Sequence, residues 1–176
     1  MSDNELTLEI DYPVLCTKGA ALFPNNDINI EAGRVFSKRA VKLAIDSFNS
    51  HIIVVPQLSP TSDDISLNTI SQVGTIAKIK VSRNLENGIV KVVLNGIARV
   101  KINTIYLQDG VYFANVDYAE EEALTFEEEE AYMRQTNKIF SDYVNKNSLS
   151  KQLVEKFSKG LSINAFVDLV SQNIVK

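Results

Sequence analysis

Cysteine and histidine are almost missing from this 176-residue chain, where Cys16 and His51 each stand alone. One cysteine excludes an intrachain disulfide and a cysteine-only zinc site, and one histidine leaves a mixed cluster without ligands. Long apolar runs are missing too. No window reaches 18 consecutive apolar residues, and the opening Met1-Ser2-Asp3-Asn4-Glu5 is acidic rather than basic. A membrane span, a secretory signal and a mitochondrial presequence are therefore not expected, and a cytoplasmic protein is. There is no Gly-x-x-x-x-Gly-Lys-Ser/Thr phosphate loop, and no Gly-x-Gly-x-x-Gly opens a helix after a strand, so nucleotide binding has no support. His51 abuts four apolar residues with no serine elbow near it and reads as a structural histidine at a strand edge. Lys18 would lower the pKa of Cys16, but with no second cysteine and no histidine partner the residue reads as a buried or incidental thiol.

What is present is ordinary globular material. The chain is 45% apolar and 23% charged, and its length fits one domain, or one small domain with an appendage. The net charge of −4 hides a division. Seven glutamates fall between Glu120 and Glu130, and without them 15 acidic residues face 18 basic ones. From Ile76 to Ile105 the residues Lys78, Lys80, Arg83, Lys91, Arg99 and Lys101 face only Glu86. Alternating with Ile and Val, these cations read as the solvated side of a sheet. Nucleic-acid binding is disfavoured, because neither a recognised module nor interleaved stacking aromatics accompany them. The glutamates lack the alternating ligands and central glycine of a calcium loop and instead favour a helix N-terminus and solvate a linker.

Periodicity gives the elements. Leu6, Leu8, Ile10, Tyr12 and Val14 alternate with Thr7, Glu9 and Asp11 as a half-buried strand, broken at Thr17-Lys18-Gly19. Ile28, Ile30 and Ala32 form a second strand that Gly33 ends. A helix follows, with Ser37 as N-cap, Phe36 stapled onto Val41, and Val41, Ala44, Ile45 and Phe48 on one face. Ile52-Ile53-Val54-Val55 is a buried strand closed by Pro56, and residues 57–72 are a polar loop. Residues 73–118 are all strand, with two-residue hairpin turns expected at Asn87-Gly88 and Asp109-Gly110 and a bulge or corner at Asn95-Gly96. Thr125 and Glu128 make a capping box for a helix with Phe126, Met133, Phe140 and Val144 on one face, and Leu149, Leu153 and Phe157 continue that spacing to Gly160. Ser162 caps a last helix whose face is Ile163, Phe166, Val167, Val170 and Ile174. It meets Lys176 with no stop signal, so the chain is expected to be the front piece of something longer.

One resemblance extends this reading. Tyr12-Pro13-Val14-Leu15, then Phe23-Pro24, then Gly33-Arg34 with Ser37 and Ala40, resembles the start of the N-terminal substrate-recognition domain of the Lon ATP-dependent protease. Val73-Gly74-Thr75-Ile76-Ala77-Lys78-Ile79, a hairpin glycine at Gly88, and Gly96-Ile97-Ala98-Arg99-Val100 are similar to that family's second signature, in order. The likeness is close over about residues 10–118 and one of type beyond. Cys16-Thr17-Lys18-Gly19 replaces the family's Leu-Arg-Asp-like stretch and Asn25-Asn26 its Gly-Met, so the first loop is expected to differ in shape. Gly33, Gly74 and Gly96 read as backbone necessities.

The expected fold is α+β: a twisted β-sheet or pseudo-barrel domain with one helix over residues 1–118, an acidic linker over 119–123, and a helical segment over 124–176. The resemblance implies recruitment of unfolded or tagged proteins for an ATP-driven serine protease. It implies no catalysis, cofactor or metal in these residues, with ATP, magnesium and the serine–lysine peptidase pair beyond Lys176 and a homo-oligomeric, hexameric ring in the full-length family. A free-standing adaptor of the same fold, binding a protein partner or small ligand, is the alternative. For substrate contact, the unusually apolar loop of Ala20, Ala21, Leu22 and Phe23 nominates Leu22 and Phe23, with Arg34 and Lys38 as charged neighbours. Phe23 plugging the barrel is the competing reading. The last helix is marginal alone, and weak self-association through the helical segment is expected.

Overall fold

In the computed structural model, which describes residues 10–59, 61–120, 123–147 and 160–174, the chain divides after Ala119 into two units, Met1–Ala119 and Glu120–Lys176. The first unit carries the six strands found among the described residues: β1 (Tyr12–Lys18), β2 (Asp27–Ala32), β3 (His51–Gln57), β4 (Val73–Asn84), β5 (Val90–Gln108) and β6 (Val111–Tyr118). Helix α1 (Val35–Ser47) lies between β2 and β3. The strand order is β2-β5-β4-β3-β1-β6, and a further β5–β6 pairing closes the sheet on itself. β5 makes that closure possible by its length: its first part pairs with β4 and β2, and Val100–Gln108 pairs with β6.

Two apolar clusters fill the unit. Leu15, Ile52, Val54, Ala77, Val92 and Leu94 meet Ala40, Val41 and Ala44 of α1 in one, and Val14, Cys16, Ile53, Val55, Val100 and Ile102 form the other. Neighbouring residues of β1 and β3 thus point into different clusters. This is why β1 is buried on both faces rather than half-buried; it begins at Tyr12, after Ile10 and Asp11, and Leu6 and Leu8 lie outside the described residues. Pro56 does not close β3 but lies inside it, past the end of the β3–β4 ladder at Val54, where no N–H is required. Residues 57–72 are more than a polar loop. An isolated Gln57–Ile70 bridge and the Thr69 hydroxyl, which donates to Asp64 O at 3.0 Å, fold them back, and Ile65 and Ile70 pack into the second cluster.

Local signals held in part. Asp109 and Gly110 both take positive φ in a two-residue turn, as expected. At residues 85–89 the loop is longer: Gly88 N–H donates to Leu85 O and only Gly88 is left-handed, which is a turn followed by a bulge. Asn95-Gly96 does mark a bulge, with Ile97 as the extra residue between the Ala77↔Gly96 and Ile76↔Ala98 pairs. Ser37 is not the cap of α1. Arg34 holds that position without a side-chain bond, and Ser37 is buried within the helix. No staple forms, because Phe36 turns edge-on to Tyr112 at 5.2 Å in the second cluster while Val41 enters the first. Ile45 is 40% exposed, so the buried stripe of α1 runs through Ala40 and Ala44 instead.

The second unit contains α2 (Phe126–Lys146) and α3 (Ile163–Ile174). The capping box forms: Thr125 Oγ1 accepts the Glu128 N–H, and Glu128 Oε2 accepts the Thr125 N–H at 2.9 Å. That bond holds the Glu128 carboxyl below its usual pKa. Among the described residues Phe140, Val144, Ile163 and Phe166 form a buried cluster, with the two rings edge-on at 5.8 Å. Phe126, placed by spacing on the same face, is instead 75% exposed, since it sits in the first turn ahead of the packed stretch. Ser162 Oγ accepts the Ala165 N–H at the start of α3. The expected stripe of Leu149, Leu153 and Phe157 lies outside the described residues. Among the described residues, no helix is long and apolar enough to cross a membrane.

Candidate functional site

The loop from β1 to β2 is built against the sheet rather than left free. Thr75 Oγ1 donates to Leu22 O at 2.6 Å, Asn25 N–H donates to Gly96 O at 2.9 Å, and Gly96 N–H donates to Asn26 O at 2.9 Å. Gly96 has to be glycine here, because a Cβ would run into the Phe23 carbonyl. Gly74 is tight as well, its Cβ position lying 2.9 Å from Val54 O, whereas a side chain on Gly33 would meet open space. The loop turns back through Asn25 at φ 58°, a left-handed position that asparagine tolerates.

This anchoring separates the two loop residues nominated from sequence. Leu22 is 5% exposed and belongs to the first apolar cluster, so it is the residue that plugs the barrel. Phe23 is half-buried, with the Arg99 guanidinium 6.0 Å from its ring centre. Arg34 faces inward. Its guanidinium donates to Gln57 Oε1 at 2.6 Å and to Cys16 O, and lies 4.7 Å over the Phe36 ring. Lys38 Nζ donates to Gly88 O at 3.1 Å, on the other side of the helix start. The four residues do not converge on one cavity: Arg34 lines one cleft and Lys38 another.

Three clefts mark the surface of this unit. A groove of ≈ 610 Å³ runs between α1 and the β4–β5 hairpin, with Val35, Val41, Ile45 and Val90 along it and Lys38 and Lys42 at its rim. A second, of ≈ 540 Å³, lies on the opposite flank of α1 against Leu43, Phe48, Val111 and Phe113. Arg39, Lys42 and Asp46 line both, so α1 stands as a basic ridge between two apolar grooves. The sequence nomination missed Arg39 and Lys42, although Lys38-Arg39 and Lys42 on the polar face of the predicted helix were a usable signal. A third cleft, of ≈ 530 Å³, opens between β1 and β2 and is lined by Cys16, Lys18, Ala20, Glu31, Arg34 and Asp63.

The reactive side chains are quiet. Burial pushes the Cys16 thiol up to about 12, against the smaller opposing effect of Arg34, so Lys18 does not activate it. His51 is half-buried beside Phe48 O at 3.3 Å; burial holds its imidazole below the usual pKa against the smaller raising effect of that carbonyl, and Lys78 across the ladder lowers it a little further. Among the described residues no three His, Cys, Asp or Glu side chains group to hold a metal ion. The exposed lysines of β4 and β5 sit on the outer sheet surface, where Lys80 pairs with Asp27 at 2.9 Å. Apolar grooves with a basic ridge suit non-covalent holding of a polypeptide.

Comparison with known proteins agrees in kind. Residues 11–175 match the family model described as the ATP-dependent protease La (LON) substrate-binding domain. The Lon protease of Elusimicrobium minutum is 28% identical over 172 residues, covering 96% of this chain and 21% of that protein. The Lon protease of Mycoplasma mycoides is 33% identical over 105 residues, 60% of this chain and 13% of that one. This chain therefore spans about a fifth or less of the length of these relatives. Among solved structures, the N-terminal domain of Mycobacterium avium complex Lon protease superposes with a TM-score of 0.74 at 18% identity, covering 94% of this chain and 83% of that one.

Proposed function

Since the chain belongs to the Lon substrate-binding domain family, we propose that it recruits unfolded or tagged proteins for an ATP-driven serine protease and does no chemistry of its own. The observation that carries this reading is the family match across 11–175, which includes both the barrel and the helical segment. The apolar grooves beside α1 support it, because exposed apolar surface rimmed by charge suits the side chains that an unfolded protein exposes. ATP and magnesium, and the serine–lysine pair that cuts the peptide bond, belong in this reading to parts of the protease outside these 176 residues. Ring assembly belongs there too. Weak self-association of the helical segment is supported by Tyr132, Ile139 and Tyr143, a second apolar stripe left exposed on α2.

Titrating a fluorescent, permanently unfolded casein against the chain tests the reading. Binding in the micromolar range is expected, and Ile45→Ser, which alters an exposed groove residue, is expected to weaken it several-fold without lowering the urea midpoint. No binding by the wild-type chain overturns the proposal. Phe23→Ala, tested alongside, decides whether the loop nominated from sequence belongs to the surface.

A further inference from the structure

We propose that the seam between β1 and β2 takes up one extended stretch of unfolded polypeptide as an added strand. This rests on the substrate-binding reading above and gives it a mode of recognition.

The barrel is closed unevenly. β6 pairs with β1 only at Tyr12 and Pro13, so Val14–Lys18 has β3 on one side and no strand on the other among the described residues. β2 stands at the end of the strand order and, among the described residues, pairs with β5 alone. The two open edges border the same cleft, which Cys16 and Lys18 line from β1 and Asn29 and Glu31 from β2.

The phase of the open edge on β2 follows from one bond. Gly96 N–H donates to Asn26 O, and the unbroken register Ile28↔Leu94 and Ile30↔Val92 then directs the backbone groups of Ile28, Ile30 and Ala32 toward β5. The N–H and C=O of Asp27, Asn29 and Glu31 consequently face the seam. On β1, the Arg34 guanidinium donates to Cys16 O, a strand carbonyl that a fully closed barrel would give to a neighbouring strand. The open stretch of β1 is about 16 Å long at roughly 3.3 Å per residue, enough for a short strand.

The side chains of the cleft have no preference of sign. Lys18 and Arg34 balance Glu31 and Asp63, and Lys18 is already paired with Asp63 at 2.7 Å. Recognition at this seam therefore comes from backbone hydrogen bonds, which every polypeptide except proline offers at each residue. That suits a partner defined by being unfolded rather than by its sequence.

The test compares a fluorescein-labelled peptide of alternating Thr and Val with a twin N-methylated at alternate residues, each titrated against the full chain. N-methylation removes donors on one edge and keeps the side chains, and it is expected to weaken binding at least about tenfold. Asn29→Pro deletes an N–H that faces the seam and leaves the β2–β5 ladder whole, and a similar loss is expected. Equal binding of both peptides overturns strand addition while the recruiting function stands. Failure of the chain to bind either peptide or unfolded casein overturns both. If Asn29→Pro changes sedimentation but not peptide affinity, the edge is a seam between two copies and the inference falls. Should that variant not fold, the peptide pair against wild type still decides.

Discussion

The two units of the chain are held by interactions of very different reach. In Met1–Ala119, side chains reach groups that are remote in sequence: Thr75 Oγ1 holds Leu22 O, Arg34 holds Cys16 O, and Asn115 Nδ2 donates to the Asp11 side chain at Oδ1, 2.9 Å away. In Glu120–Lys176, the described hydrogen bonds are mostly within a turn of helix, and among the described residues the buried apolar cluster is Phe140, Val144, Ile163 and Phe166. Long-range closure is entropically costly to form, but it ties the barrel into one cooperative body. The single-turn bonds described in the helical unit close only short stretches of chain and tie no remote segments together. The three clefts beside α1 and β1 are in the tied unit, where residues remote in sequence form their walls.

Matched core truncations would break this contrast most sharply. Phe166→Ala removes a fully buried ring, a loss of about 3–5 kcal/mol, which is expected to melt the helical unit while the amide spectrum of the barrel survives. Leu22→Ser, deleting a comparable buried group from the barrel, is expected to cost about 2–5 kcal/mol and to lower the urea midpoint of that unit without dissolving it. Loss of the barrel spectrum in Phe166→Ala would show that the units do not fold separately. A smaller effect is expected at the capping box. Thr125→Ala should cost the helical unit about 1 kcal/mol and leave the barrel transition unchanged, read as a lower midpoint of the helical circular dichroism signal.

The smallest effect is pH dependence specific to the barrel. His51 has its pKa lowered by burial, so the unfolded chain takes up a proton before the folded one does as pH falls. Its contribution is complete above the unfolded value of about 6.5 and is lost as pH drops through the folded value. Urea midpoints between pH 7.5 and 5.5 should fall slightly more for wild type than for His51→Gln. Equal slopes would remove His51 from the pH response.

The capping box, the Asp109-Gly110 turn and the bulge at Gly96 were legible because each depends on residues close in sequence. Ser37 and Phe36 misled for the opposite reason. Ser37 has the chemistry of a cap but lies on the face of α1 that packs inward, and Phe36 found a better partner in Tyr112, on a strand far along the chain. The apolar loop at Ala20–Phe23 stood out by composition, yet composition gave no way to tell that Leu22 is swallowed by the barrel while Phe23 is half-buried. The grooves were not visible in advance, since each has one wall from α1 and another from a hairpin distant in sequence.

Sequence alone determined the α+β class, the family signatures and most strand and helix identities, all of which reside in local periodicity and short motifs. Tertiary structure decided which side chains the two clusters buried, that Arg34 would turn inward onto Cys16 O, and that the barrel would close through β6 at one end while β1 and β2 stayed apart at the other. Strand order and register cause that difference. Two edges face each other only after β5 has paired on both of its sides, and no stretch of the chain encodes that meeting by itself.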